Sequence, residues 1–115
     1  MDIYYTSNKL AKICNDQSLM DRKWGVENAK KIRRRLNELA AANHLAEIPH
    51  TPPPRRHQLT GKRTGQFAVD IQQPQRIIFE PDHDPVPLKE DEGIDLTKIT
   101  SIIILEVEDY HGKKK

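Results

Sequence analysis

Apolar and polar residues change rhythm along this chain, and each rhythm predicts an element. Asp2 to Thr6 (DIYYT) is aromatic and β-branched and predicts a first strand. Ser7 and Asn8 follow as good helix N-caps, and Leu10, Ile13 and Cys14 then line one helical face. Asn15 and Asp16 interrupt it, and Leu19, Met20 and Trp24 continue in a second short helical piece ending near Gly25. From Val26 the helical period is clear. Ala29, Ile32, Leu36, Leu39 and Ala40 share a face, while Lys30, Lys31, Arg33, Arg34 and Arg35 occupy the remaining arc. This predicts an amphipathic helix running to about Asn43, with His44 where a helix C-terminus favours a cation.

The period then shortens. Ile48 to Pro54, with Pro52, Pro53 and Pro54 in a row, excludes helix and central strand and predicts a stiff, extended connector. Gln66 to Ile71 alternates: Phe67, Val69 and Ile71 point one way and Ala68 and Asp70 the other, as a half-buried strand requires. Gln72, Gln73 and Pro74 make a turn. Gln75 to Glu80 carries Ile77, Ile78 and Phe79, with Arg76 near its start and Pro81 as its stop. Asp82 to Lys98, rich in Asp, Glu and Pro, reads as a long functional or mobile loop. Ile99 to Val107 (ITSIIILEV) is the most apolar run and predicts a central strand buried on both faces. The order of strand, helix pair and three strands gives an α+β fold: a small antiparallel-rich sheet with two N-terminal helices packed on one face. A length of 115 residues suits one domain, spanning 1–115.

Charge changes the picture more than its total suggests. The formal net charge is only +2, but Arg55, Arg56, His57, Lys62 and Arg63 gather at the entry to the hairpin, and no Asp or Glu lies between Glu47 and Asp70. An acidic run, Asp82, Asp84, Glu90, Asp91, Glu92 and Asp95, follows the hairpin. A basic lip on a rigid sheet is a surface for a polyanion, and Arg33 and Arg34 on the long helix extend the same chemistry. The lone Cys14 reads as a core residue, and Lys113 to Lys115 as a frayed tail. With no signal peptide and no long apolar segment, the expected setting is a reducing cytoplasm, with no membrane partner.

Candidate chemistry lies at the end of the apolar strand, where Glu108, Asp109, Tyr110 and His111 place a carboxylate, a phenol and an imidazole in succession. Near Arg76 and the basic lip, such groups suit proton transfer beside a phosphate. His44, His50, His57, His83 and His111 lack zinc-like spacing and there is no second cysteine, so neither a metal site nor a cofactor is expected. Gly61 and Gly65 lead into a strand, not a helix, and so do not form a phosphate-binding glycine motif.

The stretches LTGKRTGQFAVDI, RIIFEPDHDPVPL and ILEVEDYH together resemble the RelE/ParE superfamily of bacterial toxins, in its HigB-like (plasmid maintenance killer) branch. The resemblance covers the whole order of elements and rests on L-x-G-x-R-x-G-x-F, the following R-I-x-F and the terminal D-Y-H. It implies a metal-independent, ribosome-dependent endoribonuclease of mRNA. It also implies a helix-turn-helix, HigA-like antitoxin that binds operator DNA as a complex with the toxin. Lys62 and Arg63 match the RNA-holding hairpin positions, Arg76 the strand arginine, and Asp109, Tyr110 and His111 the terminal catalytic segment. His57 departs from the usual residue at its position, and the acidic insertion Asp82 to Asp95 is longer than in compact relatives. RNA cleavage by its own 2′-hydroxyl needs a base, an acid and cations for the extra phosphate charge. The expected roles are His111 or Asp109 as base, Tyr110 to orient or stack on a nucleobase, and Arg63 and Arg76 to stabilise charge, supported by Lys62. Two other readings stay open: a ParE-like, gyrase-inhibiting toxin without nuclease chemistry, and an inactive RNA- or protein-binding regulator.

Overall fold

The computed structural model describes residues 1–72 and 74–108. Its first strand, β1 (Asp2–Tyr5), leads into α1 (Asn8–Cys14), α2 (Gln17–Trp24) and α3 (Val26–Ala41). The Ser7 side chain caps α1 by accepting from the Leu10 N–H at 3.1 Å. The break between α1 and α2 is enforced by Asp16, whose carboxylate accepts from the N–H groups of Ser18 and Leu19 at 2.9 and 3.1 Å. These bonds, Leu19 first, hold the Asp16 pKa below its usual value. The interruption expected at Asn15 and Asp16 thus separates two short helices, and three α-helices, not the two of the expected fold, stand among the described residues.

Strands β2 (His57–Gln58), β3 (Phe67–Gln72), β4 (Gln75–Pro81) and β5 (Ser101–Glu108) join β1 in a single sheet of order β1-β5-β4-β3-β2. The β1–β5 pairing is parallel and the others are antiparallel. Helices cover one face. Ala29, Ile32, Leu36 and Leu39 of α3 bury against Phe67, Val69, Ile71, Ile77, Phe79, Ile102 and Ile104, with Met20 and Trp24 of α2 closing the same core. The Phe67 and Phe79 rings, on partnered residues, lie 5.9 Å apart in a stacked arrangement. No helix among the described residues is long and apolar enough to cross a membrane.

Several expectations are corrected. Ala68 and Asp70 are as buried as their neighbours, so β3 is covered on both faces. Conversely, β5 is an interior strand, paired with β1 and β4, but it is not buried on both faces. Ile102 and Ile104 are fully buried, but Ile103 and Leu105 on the other side are only half-buried. The proline connector is not extended: it folds back through bonds from Arg55 N–H to Thr51 O (3.0 Å) and from Arg56 N–H to Pro49 O (2.9 Å). His44 does not cap α3; it lies 3.8 Å from Glu47, and the Met1 nitrogen donates to Ala40 O at the helix end instead (2.9 Å). Arg35, expected on the solvated arc, is buried and donates to Asp70 O at 2.7 Å. The acidic segment is partly built, with a bridge between Leu88 and Ile94 and with Val86, Ile94 and Leu96 packed on the core.

Where α1 meets β1, the Cys14 thiol and the Tyr5 hydroxyl are half-buried and hydrogen-bonded to each other. Burial pushes Cys14 from 9.0 up to about 11, partly offset by the Tyr5 bond, and pushes Tyr5 from 10.0 up to about 12 with help from Cys14. Both acids are thus kept neutral by the fold. Below pH 9 their contribution is fully present. As pH rises through about 11 the unfolded chain gives up protons that the native state retains, and stability is lost. Thermal melts should show a falling midpoint over that window, and a shallower fall in Cys14→Ala; a midpoint flat with pH in the native chain would contradict the arrangement.

Candidate nucleic-acid interface

The face of the sheet away from the helices carries the charged groups, and strand pairing sets their positions. One rung runs His57, Ala68, Ile78, Glu106 across β2, β3, β4 and β5; the next runs Asp70, Arg76, Glu108 across β3, β4 and β5. Rungs two residues apart are about 7 Å apart, within reach of a single arginine side chain. Ala68 and Ile78 are fully buried yet lie outside the helix-side core, and they form the floor of this face.

A bulge makes the site possible. Phe79 pairs with Ile104 but Ile78 pairs with Glu106, so Leu105 is one residue extra on β5. Strict alternation would put Ile102, Ile104, Glu106 and Glu108 on one face. The extra residue reverses the phase. Ile102 and Ile104 stay in the core, while Glu106 and Glu108 turn outward to meet Arg76 and Arg63.

Arg76 Nε donates to Glu108 Oε1 at 2.6 Å. Arg63 comes from the short 3-10 turn Gly61–Arg63, reached through Gly61 at φ 65°, a left-handed conformation that glycine adopts without strain. Its guanidinium donates to Gln66 Oε1 at 2.7 Å, bonds Glu106, and lies 3.7 Å from Glu108 Oε2. One carboxylate, Glu108, thus bridges two arginines, and a second, Glu106, is held by Arg63. No carboxylate near in sequence neutralises Arg63, and the groups that do so arrive from β5, remote in sequence.

The remaining basic residues divide. Arg55 grips the buried Asp70 carboxylate with Nε and Nη2 at 2.6 and 3.1 Å, a bidentate pair that anchors the connector to β3. Arg56 turns the other way and donates to Ile48 O at 2.8 Å, and burial draws its pKa below the usual range. Lys62 is exposed. His57 stands on the same rung as Glu106, and its Nδ1 lies 2.8 Å from Arg55 O. A carbonyl only accepts, so Nδ1 carries the proton and a neutral ring keeps the Nε2 lone pair available. Arg33 and Arg34 are on the helical layer, with the sheet between them and Arg63. Arg33 lies 3.6 Å from Asp21 and lines a cavity of about 530 Å³ with Tyr5, Cys14 and Asn37; Arg34 is exposed. Asp109, Tyr110 and His111 lie outside the described residues. Sequence reasoning missed Glu106 and Glu108 as partners of the arginines, although EVE in alternation at the end of an apolar strand is a signal for them.

No family model matches this sequence, and no curated protein matches it in sequence. Solved structures do match in fold. The YoeB/ParE toxin from Agrobacterium tumefaciens superposes with a TM-score of 0.55 at 10% identity, over 94% of this chain and 96% of that one. The YoeB-YefM complex from Staphylococcus aureus gives 0.55 at 13% identity, over 95% of each chain. The α+β architecture is therefore that of YoeB/ParE toxins, along nearly the whole chain.

The bulge gives a test of how the site is built. Deleting Leu105 makes Ile104 and Glu106 neighbours, so regular alternation alone keeps Ile104 in the core and Glu106 and Glu108 outward, and the variant should melt cooperatively. Deleting Ile103 keeps the extra residue but makes Ile102 and Ile104 neighbours, so one of these buried side chains must leave the core and the melting midpoint should fall sharply. Equal behaviour of the two variants would contradict the assignment of Leu105 as the extra residue.

Proposed function

We propose that this chain is the toxin of a toxin–antitoxin pair and acts as a ribosome-dependent, metal-independent endoribonuclease on mRNA. The observation that carries this reading is the Arg63–Glu108–Arg76 bridge on the open face of a YoeB/ParE-type sheet. Two guanidiniums held by one carboxylate are spaced to receive one tetrahedral phosphate. The motif resemblance supports the HigB-like branch, and a complex among the structural neighbours, YoeB-YefM, supports an antitoxin partner. In the proposed branch that partner is a HigA-like helix-turn-helix protein, and the pair binds operator DNA.

In the reaction the RNA 2′-oxygen gives its proton to a base and attacks the adjacent phosphorus. The bond from phosphorus to the 5′-oxygen breaks, that oxygen takes a proton, and a cyclic phosphate and a 5′-hydroxyl end remain. Arg63 and Arg76 meet the charge that grows on the non-bridging oxygens. In this reading His57 Nε2 serves as base, supported by its position on the rung of Glu106 and by the Nδ1 contact to Arg55 O. His111 and Asp109 are the alternative base, and Tyr110 stacks on or orients a nucleobase. Lys62 adds a backbone phosphate contact. The ribosome holds the message in place, which relaxes the demand for a complete acid–base set.

Expression without the antitoxin should arrest translation, and primer extension should reveal new 5′ ends inside translated frames. Arg63→Ala and Arg76→Ala should each lower cleavage about 100-fold, the usual cost of removing one charge-stabilising donor. Intact messages with accumulated gyrase–DNA breaks would place the chain in the ParE-like class instead. Ribosome binding should also weaken with salt. If Lys62, Arg63 and Arg76 each meet one phosphate, log affinity against log salt should fall with a slope of about −2, from ~0.7 per contact on single strands. An affinity unchanged between low and moderate salt contradicts this surface.

A further inference from the structure

The two glutamates that face the arginines are not equivalent. Glu108 is directly opposite Arg76 in the sheet, its side chain is 13% exposed, and it spans both guanidiniums. Glu106 touches Arg63 alone among the described ion pairs and its side chain is 40% exposed. A carboxylate buried between two cations is costly to remove, because it would leave desolvated charge behind, whereas an exposed one is readily exchanged for another anion. The geometry of Arg63 fits such an exchange. Gln66 holds Nη1, Glu108 lies behind, and Nη2 is turned to Glu106 at the rim.

We propose that Glu108 is a positioning residue that joins Arg63 and Arg76 into one anion clamp, and that Glu106 is the internal occupant of that clamp, displaced by an RNA phosphate. This deepens the nuclease reading and rests on it for the identity of the anion. The free protein then holds its arginines in their working geometry without presenting bare positive charge. Phosphate enters by trading places with Glu106, while Glu108 stays and keeps the guanidiniums aligned. The two carboxylates therefore have opposite effects when neutralised. Loss of the Glu106 charge opens Arg63 Nη2 to an incoming anion, and loss of the Glu108 charge, or of its reach, disorders the clamp.

The test compares Glu106→Gln, Glu108→Gln and Glu108→Asp, all close in size to the native residue. The first measurement is fluorescence anisotropy with a short 2′-deoxy oligonucleotide, which has the phosphates but no nucleophile. Glu106→Gln should bind about fivefold tighter at low salt, with the gain shrinking as salt rises. Glu108→Asp keeps the charge but draws the carboxylate back by one methylene. It should bind no tighter than wild type and yet lose at least tenfold in kcat in the ribosome-dependent assay, with KM little changed. The second measurement is the NMR signal of the Arg76 Nε–H, which should shift and broaden in Glu108→Gln and stay in place in Glu106→Gln. Tighter binding by Glu106→Gln and a perturbed Arg76 signal in Glu108→Gln support the clamp even if wild type cleaves no RNA, an outcome that would refute the nuclease reading alone. If Glu106→Gln binds no tighter, or Arg76 is unaffected by Glu108→Gln, the clamp is refuted.

Discussion

The constraint on which the site depends is the phase of β5. A strand has two sides and no more, and its residues must alternate between them. In this chain one strand serves two masters in succession: its first half fills the core with Ile102 and Ile104, and its second half supplies carboxylates to the opposite face. A regular strand cannot do both with this spacing. The irregularity at Leu105 resolves the conflict and increases the local twist, as bulges beside functional sites commonly do. The contacts of Glu106 and Glu108 with Arg63 and Arg76 follow from it, since these carboxylates reach the outer face only because the phase is reversed.

Charge neutralisation is the second organising feature. The basic cluster read from composition is real, but its members have different employments. Arg55 and Asp70 form a short bidentate pair in which the carboxylate is almost wholly buried. Arg35 reaches the backbone of that same residue from the helix side. Asp70 is thus clasped from both faces of the sheet, and the two arginines there maintain architecture. Arg63 and Arg76 pair instead with Glu106 and Glu108 of β5. The identity of the partner separates these arginines from Arg55 where sequence shows only a run of identical charges.

Local features are legible in the order of residues alone. The α3 face, the Ser7 cap and the hairpin each depend on residues within a few positions of one another, so periodicity and capping chemistry identify them. The illegible parts are long-range. Arg63 meets Glu106 across 43 positions and Arg76 meets Glu108 across 32, and no local pattern announces either pairing. The same limit explains the errors on Arg35 and on the connector. An arginine on a helix arc reads as solvated until a carbonyl from β3 is found beneath it, and three prolines read as extended until the turn at Thr51 to Arg55 is seen.

The parallel pairing of β1 with β5 has a consequence for how the molecule comes into being. Residues 2–5 are made early and hydrogen-bond to residues 101–104, so β1 waits through most of synthesis for the strand that accepts it. Until β5 arrives, β4 lacks a neighbour on one side, and the outer face lacks both glutamates. Contacts so distant along the chain form late and slowly. A growing polypeptide therefore cannot display an assembled anion clamp while it is still short. The order of its strands postpones assembly of this face until residue 108 has been made.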